Sequence, residues 1–154
     1  MDYILSLITF LPLIGALIIG LFVQGSGSQS SENAKRVSLV TSIIVFLLSL
    51  VMFSEFDKNS SEFQFVEEFL WLGFFNYKLG VDGISVILIL LTTGMMPLVF
   101  LSSWTTDKRV KEYLISFLIL ETLMVGVFVS LDMFLFYVFF EAGLIPMFLI
   151  IGIW

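Results

Sequence analysis

Glu141 is the residue of this chain whose type and position most clearly point to chemistry. It interrupts an apolar run from Met133 to Trp154. A charged carboxylate within a bilayer is costly, so acids at such positions usually serve a function. Pro146 lies five residues further on and removes the hydrogen bond to the carbonyl of Ala142. The pattern predicts proton transfer inside a membrane, next to irregular backbone that water can reach. The alternative is a neutral glutamic acid that hydrogen-bonds to a neighbouring helix.

Glu121 is a second acid within the same long apolar stretch. It lies ten residues before Leu131, and Glu141 lies ten residues after it. If the chain turns at Leu131, both carboxyl groups are about 15 Å from the turn, near the middle of a ~30 Å hydrocarbon layer. Two roles remain open for Glu121: a hydrogen bond to a neighbouring helix, or a relay of protons. Spacing alone does not decide whether the two acids face each other.

Two aspartates stand at predicted helix starts. Asp132 follows Ser130 and Leu131, and Asp82 precedes Gly83 and Ser85. A carboxylate at a helix N-terminus accepts hydrogen bonds from the first free amides and meets the positive end of the helix dipole. We therefore predict that both aspartates are helix caps.

The composition is that of a multi-pass membrane protein. Of the 154 residues, 59% are hydrophobic and only 13% are charged, which is roughly half the usual charged share. We predict an all-α fold that forms one membrane domain over residues 1–154. Its five spans, each long enough to cross a bilayer, are Tyr3–Val23, Val37–Phe53, about Val81–Ser103, about Tyr113–Leu131 and Asp132–Trp154.

The absence of cysteine and histidine narrows the chemistry. With no cysteine there can be no disulfide, Cys-ligated zinc or Cys-ligated iron–sulfur cluster, and the lack of histidine argues against haem and copper. We therefore expect no cofactor or metal in this chain. The net charge of −6 argues against nucleic acid as a partner. The lipid bilayer is the expected environment.

Basic residues predict the orientation in the membrane. Two lie between spans one and two, and three lie between spans three and four, namely Lys35, Arg36, Lys108, Arg109 and Lys111. The other side holds Lys58 and Lys78 only. The positive-inside rule then places the N-terminus outside. No lysine or arginine falls within any predicted span, so an ionised Glu141 would need a counter-charge from another chain segment.

The loop from Ser54 to Gly80 contains alternating apolar and polar residues. Phe75, Tyr77, Leu79 and Val81 alternate with polar residues or glycine, and Phe63 and Phe65 do so earlier. This pattern predicts two short strands, arranged as a hairpin at the outer surface. We favour an ordered cover over the helix ends rather than a ligand site, because no convergent polar cluster is evident.

Several segments resemble one known family. The segment Val127–Trp154 is similar to the chain M, or ND4-type, antiporter-like membrane subunit of respiratory complex I (NADH:quinone oxidoreductase). The segments Glu121–Met124, Val81–Ser85 and Pro12–Gly15 resemble that subunit in the same order. Residues that match the family are sparse over the chain as a whole and dense over residues 113–154. The chain thus looks like an N-terminal fragment of a longer subunit.

The resemblance implies proton translocation driven by electron transfer from NADH to quinone. In that family the glutamate of the fifth helix, which matches Glu141, acts with a lysine on the seventh helix. This chain has no such helix, so the fragment alone is expected to be inactive. The resemblance also implies that other complex I membrane subunits are partners. It implies that partner subunits hold NADH, flavin, iron–sulfur clusters and quinone, and that the membrane is a bacterial or mitochondrial inner membrane.

Two other functions are also compatible with the sequence. A subunit of a multi-subunit cation/proton antiporter resembles the same family, and the sequence after Trp154 or the neighbouring genes would distinguish it. A purely structural membrane fragment or assembly factor is the third possibility, and stable expression of the five-helix product alone would favour it.

Overall fold

The computed structural model describes residues 3–22, 27–59, 62–71, 75–102, 104–105 and 109–153. The elements in chain order are α1 (Ile4–Phe22), α2 (Ser28–Glu55), β1 (Gln64–Trp71), β2 (Phe75–Val81), α3 (Gly83–Ser102), α4 (Val110–Val129) and α5 (Met133–Ile153). All five helices are long and apolar enough to cross a membrane. The predicted all-α membrane fold with a small hairpin is therefore confirmed.

Helix α2 begins earlier than the sequence predicted. Instead of starting at Val37, it starts at Ser28 and has 28 residues, or roughly 42 Å against a hydrocarbon layer of ~30 Å. Pairs one turn apart support the polar extension: Gln29 bonds to Asn33 at 3.3 Å, and Arg36 to Glu32 at 2.6 Å. The first turns of α2 therefore project beyond the apolar layer. Lys35 and Arg36 therefore lie within α2, whereas the predicted span began after them at Val37.

Helix α4 is the central helix of the bundle. It contacts α1, α2, α3 and α5, whereas α5 contacts only α4 and β2 among the described elements. The close contact between α4 and α5 requires a glycine, because a Cβ atom at Gly126 would lie 2.6 Å from the ring of Phe139. Because α5 packs against so few elements, most of its surface is exposed within the described part of the chain.

The two strands pair as an antiparallel hairpin, as predicted. The pairing slips between Gln64 and Glu67, and Phe65 within this bulge has a φ of 57°. Strand β1 continues to Trp71, so it starts and ends later than the alternation of Phe63 and Phe65 predicted. We call the end of the bundle that carries this hairpin the hairpin end, and the opposite end, with the α1–α2 and α3–α4 connections, the basic end.

The hairpin is fixed to the connection between α4 and α5. The amide of Leu131 donates to the carbonyl of Lys78 at 2.9 Å, and Ser130 forms a β-bridge with Leu79. This confirms the predicted turn at Ser130–Asp132. Immediately after it, Asp132 accepts hydrogen bonds from the amides of Phe134 and Leu135 at 2.8 and 3.3 Å. The predicted cap at the start of α5 is thereby confirmed.

Asp82 caps α3 in the same way. Its Oδ1 atom accepts the amide of Ser85 at 2.8 Å. This hydrogen bond stabilises the charged form and lowers the pKa of Asp82 below its usual value. The cap therefore stabilises the fold above the ordinary pKa of an aspartate, and this contribution is lost as the pH falls through the lowered value.

We expect Asp82→Ala to lower the free energy of unfolding by about 1 kcal/mol at neutral pH, because the Ser85 amide loses its acceptor. Asp82→Asn should retain most of the cap, since its amide oxygen still accepts and does not titrate. Equilibrium unfolding of the full-length protein at neutral and acid pH measures both variants. The difference between wild type and Asp82→Ala should shrink in acid; a constant difference would contradict the cap.

Candidate functional site

Glu141 lies on the unpacked face of α5. Its side chain is exposed, and so are those of its neighbours on this face, Tyr137 at 60%, Phe140 at 51% and Phe148 at 75%. Within the described residues Glu141 forms neither a hydrogen bond nor an ion pair. The site is therefore a single carboxyl group in the middle of a broad apolar helix face. A membrane helix would not present such a group to lipid without a strong penalty.

The interface of α5 with α4 offers no polar environment near this acid. A groove of about 190 Å³ runs between the two helices, and both sides are apolar, including Leu123, Phe139 and Met147. Neither Glu121 nor Glu141 lines it. The expected water-accessible region next to Glu141 is thus not found on the α4 side. Any such region would have to lie on the exposed face of α5.

Glu121 has the opposite environment. It is fully buried on α4, and neither carboxyl oxygen has a hydrogen-bond partner among the described residues; the same holds for the hydroxyl of Thr122. The buried stripe of α4 places Glu121 between Leu118 and Val125. These two side chains belong to separate hydrophobic clusters, one towards each end of the bundle. Glu121 therefore lies where the two clusters meet.

The structure does not bring Glu121 and Glu141 together, although the two acids occupy matching positions along their helices. Glu121 lies eight residues before Val129, where α4 ends, and Glu141 lies eight residues after Met133, where α5 begins. The helix bounds therefore agree with the predicted similar depth. Glu121 is buried and Glu141 is exposed, so the structure does not assemble them into one site.

We expect Glu121→Leu to raise the free energy of unfolding by about 1 kcal/mol, because it removes buried oxygens without partners and keeps a similar volume. Thermal unfolding of the full-length protein measures this effect. Thr93→Val is the matched control, since Thr93 is also buried but bonds to Ser49 at 2.8 Å and should lose stability. A marked loss of stability in Glu121→Leu would show that the acid has a stabilising partner.

The hairpin contains a buried acid that was not among the predicted site residues. Glu67 on β1 is 4% exposed and reaches the first turn of α1. Its Oε2 atom accepts the amides of Leu5 and Ser6 at 2.9 and 3.1 Å. Its Oε1 atom accepts the hydroxyl of Ser6 at 2.6 Å, and that hydroxyl also bonds to Tyr77 at 2.9 Å. The hairpin therefore carries a convergent polar cluster that the sequence did not reveal, and this cluster bonds to a helix end, as the predicted cover over the helix ends would.

This carboxylate caps a helix from a distant part of the chain. The first amides of a helix have no partner within it and favour a negative charge, which Glu67 supplies. Burial, together with the negative charge of Glu67, raises the pKa of Tyr77, so its hydroxyl keeps its proton. Two consecutive acids just after the predicted strand were the available signal, because in an extended strand Glu67 and Glu68 must point to opposite faces.

The fold and the acids together define a class of protein. It is a polytopic membrane protein whose described residues form five helices long and apolar enough to span a membrane, with carboxyl groups inside two of them. The described residues contain no cluster of three or more side chains that could hold a metal ion.

Comparison with known proteins identifies the family. The chain is 54% identical over 154 residues to NADH-quinone oxidoreductase subunit M of Rhodobacter capsulatus, covering all of this chain and 30% of that protein. It is 50% identical over 151 residues to NADH-ubiquinone oxidoreductase chain 4 of Mycosarcoma maydis, covering 97% of this chain and 31% of that protein. It is 37% identical over 156 residues to subunit M of Rickettsia typhi, covering 98% and 32%.

The chain therefore belongs to the family of complex I membrane subunits named subunit M or chain 4. It spans about 30% of the length of these curated relatives. No protein-family model matches the chain.

Proposed function

We propose that this chain is part of a proton-translocating membrane subunit of NADH:quinone oxidoreductase, and that Glu141 takes up and releases the protons. One observation carries the proposal: Glu141 is exposed at the middle of an apolar membrane helix and has no partner among the described residues. Lipid cannot solvate a carboxylate, so this face of α5 requires a covering that is polar near Glu141. An acid held in this way can change its charge when its surroundings change.

The covering that we propose is other protein. The relatives extend well beyond the segment matched here, since the chain spans only about 30% of their length. A lysine from a further helix, as the family resemblance implies, would supply the counter-charge that this chain does not place near Glu141. When that lysine approaches, Glu141 is stabilised as an anion; when it withdraws, Glu141 takes up a proton. Repeated approach and withdrawal moves protons across the membrane.

Glu121 is proposed as a secondary relay residue. Its buried carboxyl lacks partners within the described part of the chain, so it contributes little to stability and is available for a function. Because Glu121 is buried on a packed helix and Glu141 is exposed on the next one, a proton could pass between them only through water or another side chain.

The redox reaction is assigned to partner subunits. The chain has neither cysteine nor histidine with which to ligate an iron–sulfur cluster or haem. We propose that NADH, flavin, iron–sulfur clusters and quinone are bound elsewhere in the complex. The N-terminus and the hairpin end would face outwards, by the positive-inside rule, in a bacterial or mitochondrial inner membrane.

The test uses the full-length protein in its assembled complex. Inside-out vesicles should acidify when NADH and a quinone are supplied, and vesicles from cells that lack this subunit should not. A sodium or potassium gradient imposed without NADH should not drive proton movement. Cation-driven proton exchange without NADH would instead support the antiporter alternative and overturn the proposal.

A further inference from the structure

A groove on the outer side of α1 and α2 is not explained by the proposed function. It has a volume of about 400 Å³, and its walls include Ile14 and Ile18 from α1 and Val40 and Ile44 from α2. These four side chains are 38–55% exposed in the described structure. The floor is narrow because α1 and α2 touch there: a Cβ atom at Gly15 would lie 2.8 Å from Thr41. The groove is thus an apolar channel that opens sideways from the bundle.

One end of this groove carries a cation. Arg36 lines the groove together with these apolar residues. Because Gly15 is level with Thr41, Arg36 is level with Gly20, in the last turn of α1. Side chains of a helix lean towards its N-terminus, which for α2 is the basic end. The guanidinium group therefore leans out of the apolar layer, to the depth at which lipid headgroups lie.

The dimensions suit one acyl chain. From Arg36 to Ile44 the groove follows α2 for eight residues, or about 12 Å, close to the ~15 Å depth of one leaflet. The cation is at the headgroup end and the apolar walls extend towards the bilayer centre. A phospholipid has the same order of groups, with a phosphate followed by a hydrocarbon chain.

The charge around the mouth of the groove favours an anion. Arg36 pairs with Glu32 at 2.6 Å, but both side chains are largely exposed, at 62% and 47%, so this pair is weak. The pair with Glu32 uses one of the five N–H donors of the Arg36 guanidinium, so four remain for a phosphate. Lys35, next in sequence, bonds to the carbonyl of Trp104 and lies 5.8 Å from its ring. Lys35 adds positive charge nearby without entering the groove.

We propose that the groove between α1 and α2 binds one acyl chain of an anionic phospholipid, with its phosphate held by Arg36. Basic residues at the headgroup level of a groove between membrane helices are the usual means of holding such lipids. A bound acyl chain would fill the groove and would contact both α1 and α2 beside the point where Gly15 meets Thr41. This proposal does not depend on the role of Glu141.

Photo-crosslinking tests this proposal on the full-length protein in its assembled complex. The probes are phosphatidylglycerol and phosphatidylcholine, each with a diazirine on the acyl chain, added in trace amounts to phosphatidylcholine nanodiscs. We expect phosphatidylglycerol to label α1 and α2 peptides around Ile14 and Val40 about fivefold more than phosphatidylcholine. Arg36→Gln should abolish this preference, and Glu32→Gln should increase it because the competing carboxylate is removed.

Two matched variants make the result specific. Arg109→Gln removes an equally exposed cation outside the groove, at 62% side-chain exposure, and should leave the labelling unchanged. Val40→Trp fills the groove but keeps the charge, and should reduce labelling by both lipids. Equal labelling by the two lipids in wild type would overturn the proposal. So would a preference that survives Arg36→Gln, or no labelling at all because another polypeptide covers the groove.

Discussion

Replacing Glu141 by glutamine in the full-length protein is expected to lower proton-coupled turnover through this subunit by roughly a hundredfold, the scale at which a positioned acid–base group contributes. Glutamine has the same shape and still forms hydrogen bonds, but it cannot release a proton. Glu141 makes no contact on which the described fold depends, so the complex should assemble normally. NADH oxidation and NADH-driven acidification, measured on the same inside-out vesicles, give the number of protons moved per NADH.

The interpretation of that result depends on two further variants. Glu141→Asp keeps a titratable group but shortens its reach, so it should restore part of the activity. Glu112→Gln removes an exposed acid of α4 that pairs loosely with Arg109 at 3.8 Å, and should have no effect. If Glu141→Gln kept both the wild-type rate of NADH oxidation and the wild-type number of protons per NADH, the proton-transfer role would be refuted. The family assignment would stand, because it depends on sequence identity.

The spans and the hairpin could be predicted because their signals are local. Each helix is a continuous apolar run, and strand β2 alternates strictly along Phe75–Val81. The true length of α2 was missed for the same reason: hydropathy detects only the part inside the apolar layer. Side-chain pairs such as Glu32 with Arg36 continue the helix into water, where hydropathy is low.

The environments of the acids could not be predicted, because they depend on which helices touch. Both Glu121 and Glu141 interrupt apolar runs, so the sequence pattern does not distinguish their environments. Only the packing of α4 at the centre and α5 at the edge makes one buried and the other exposed. Which side of α5 faces α4 depends on contacts such as that of Gly126 with Phe139. No local pattern encodes that facing direction.

Removing the carboxylate of Glu67 is expected to give the largest loss of stability in the described fold. Glu67→Ala leaves the buried amide of Leu5 and the partly buried amide of Ser6 without an acceptor, and it leaves Tyr77 as the remaining partner of the Ser6 hydroxyl. A buried donor that loses its acceptor typically costs about 1–3 kcal/mol, so we expect a loss of roughly 3 kcal/mol. Equilibrium unfolding of the full-length protein measures the loss. Hydrogen exchange at the amides of Leu5 and Ser6 should accelerate as well, because the cap that protects them is gone.

Glu68→Ala is the matched control, since Glu68 is the next residue on β1 and is exposed. Its effect should stay within about 0.5 kcal/mol, the usual range for surface substitutions. Glu67→Gln should fall between the two, because its amide oxygen can still accept the amides of Leu5 and Ser6, while its NH₂ group cannot accept the hydroxyl of Ser6. Equal losses in Glu67→Ala and Glu68→Ala would show that the hairpin is held to α1 by apolar contacts. A selective loss would instead show that a charge from β1 fixes the start of α1, and that the hairpin, through Lys78 and Leu131, joins this helix to the start of α5.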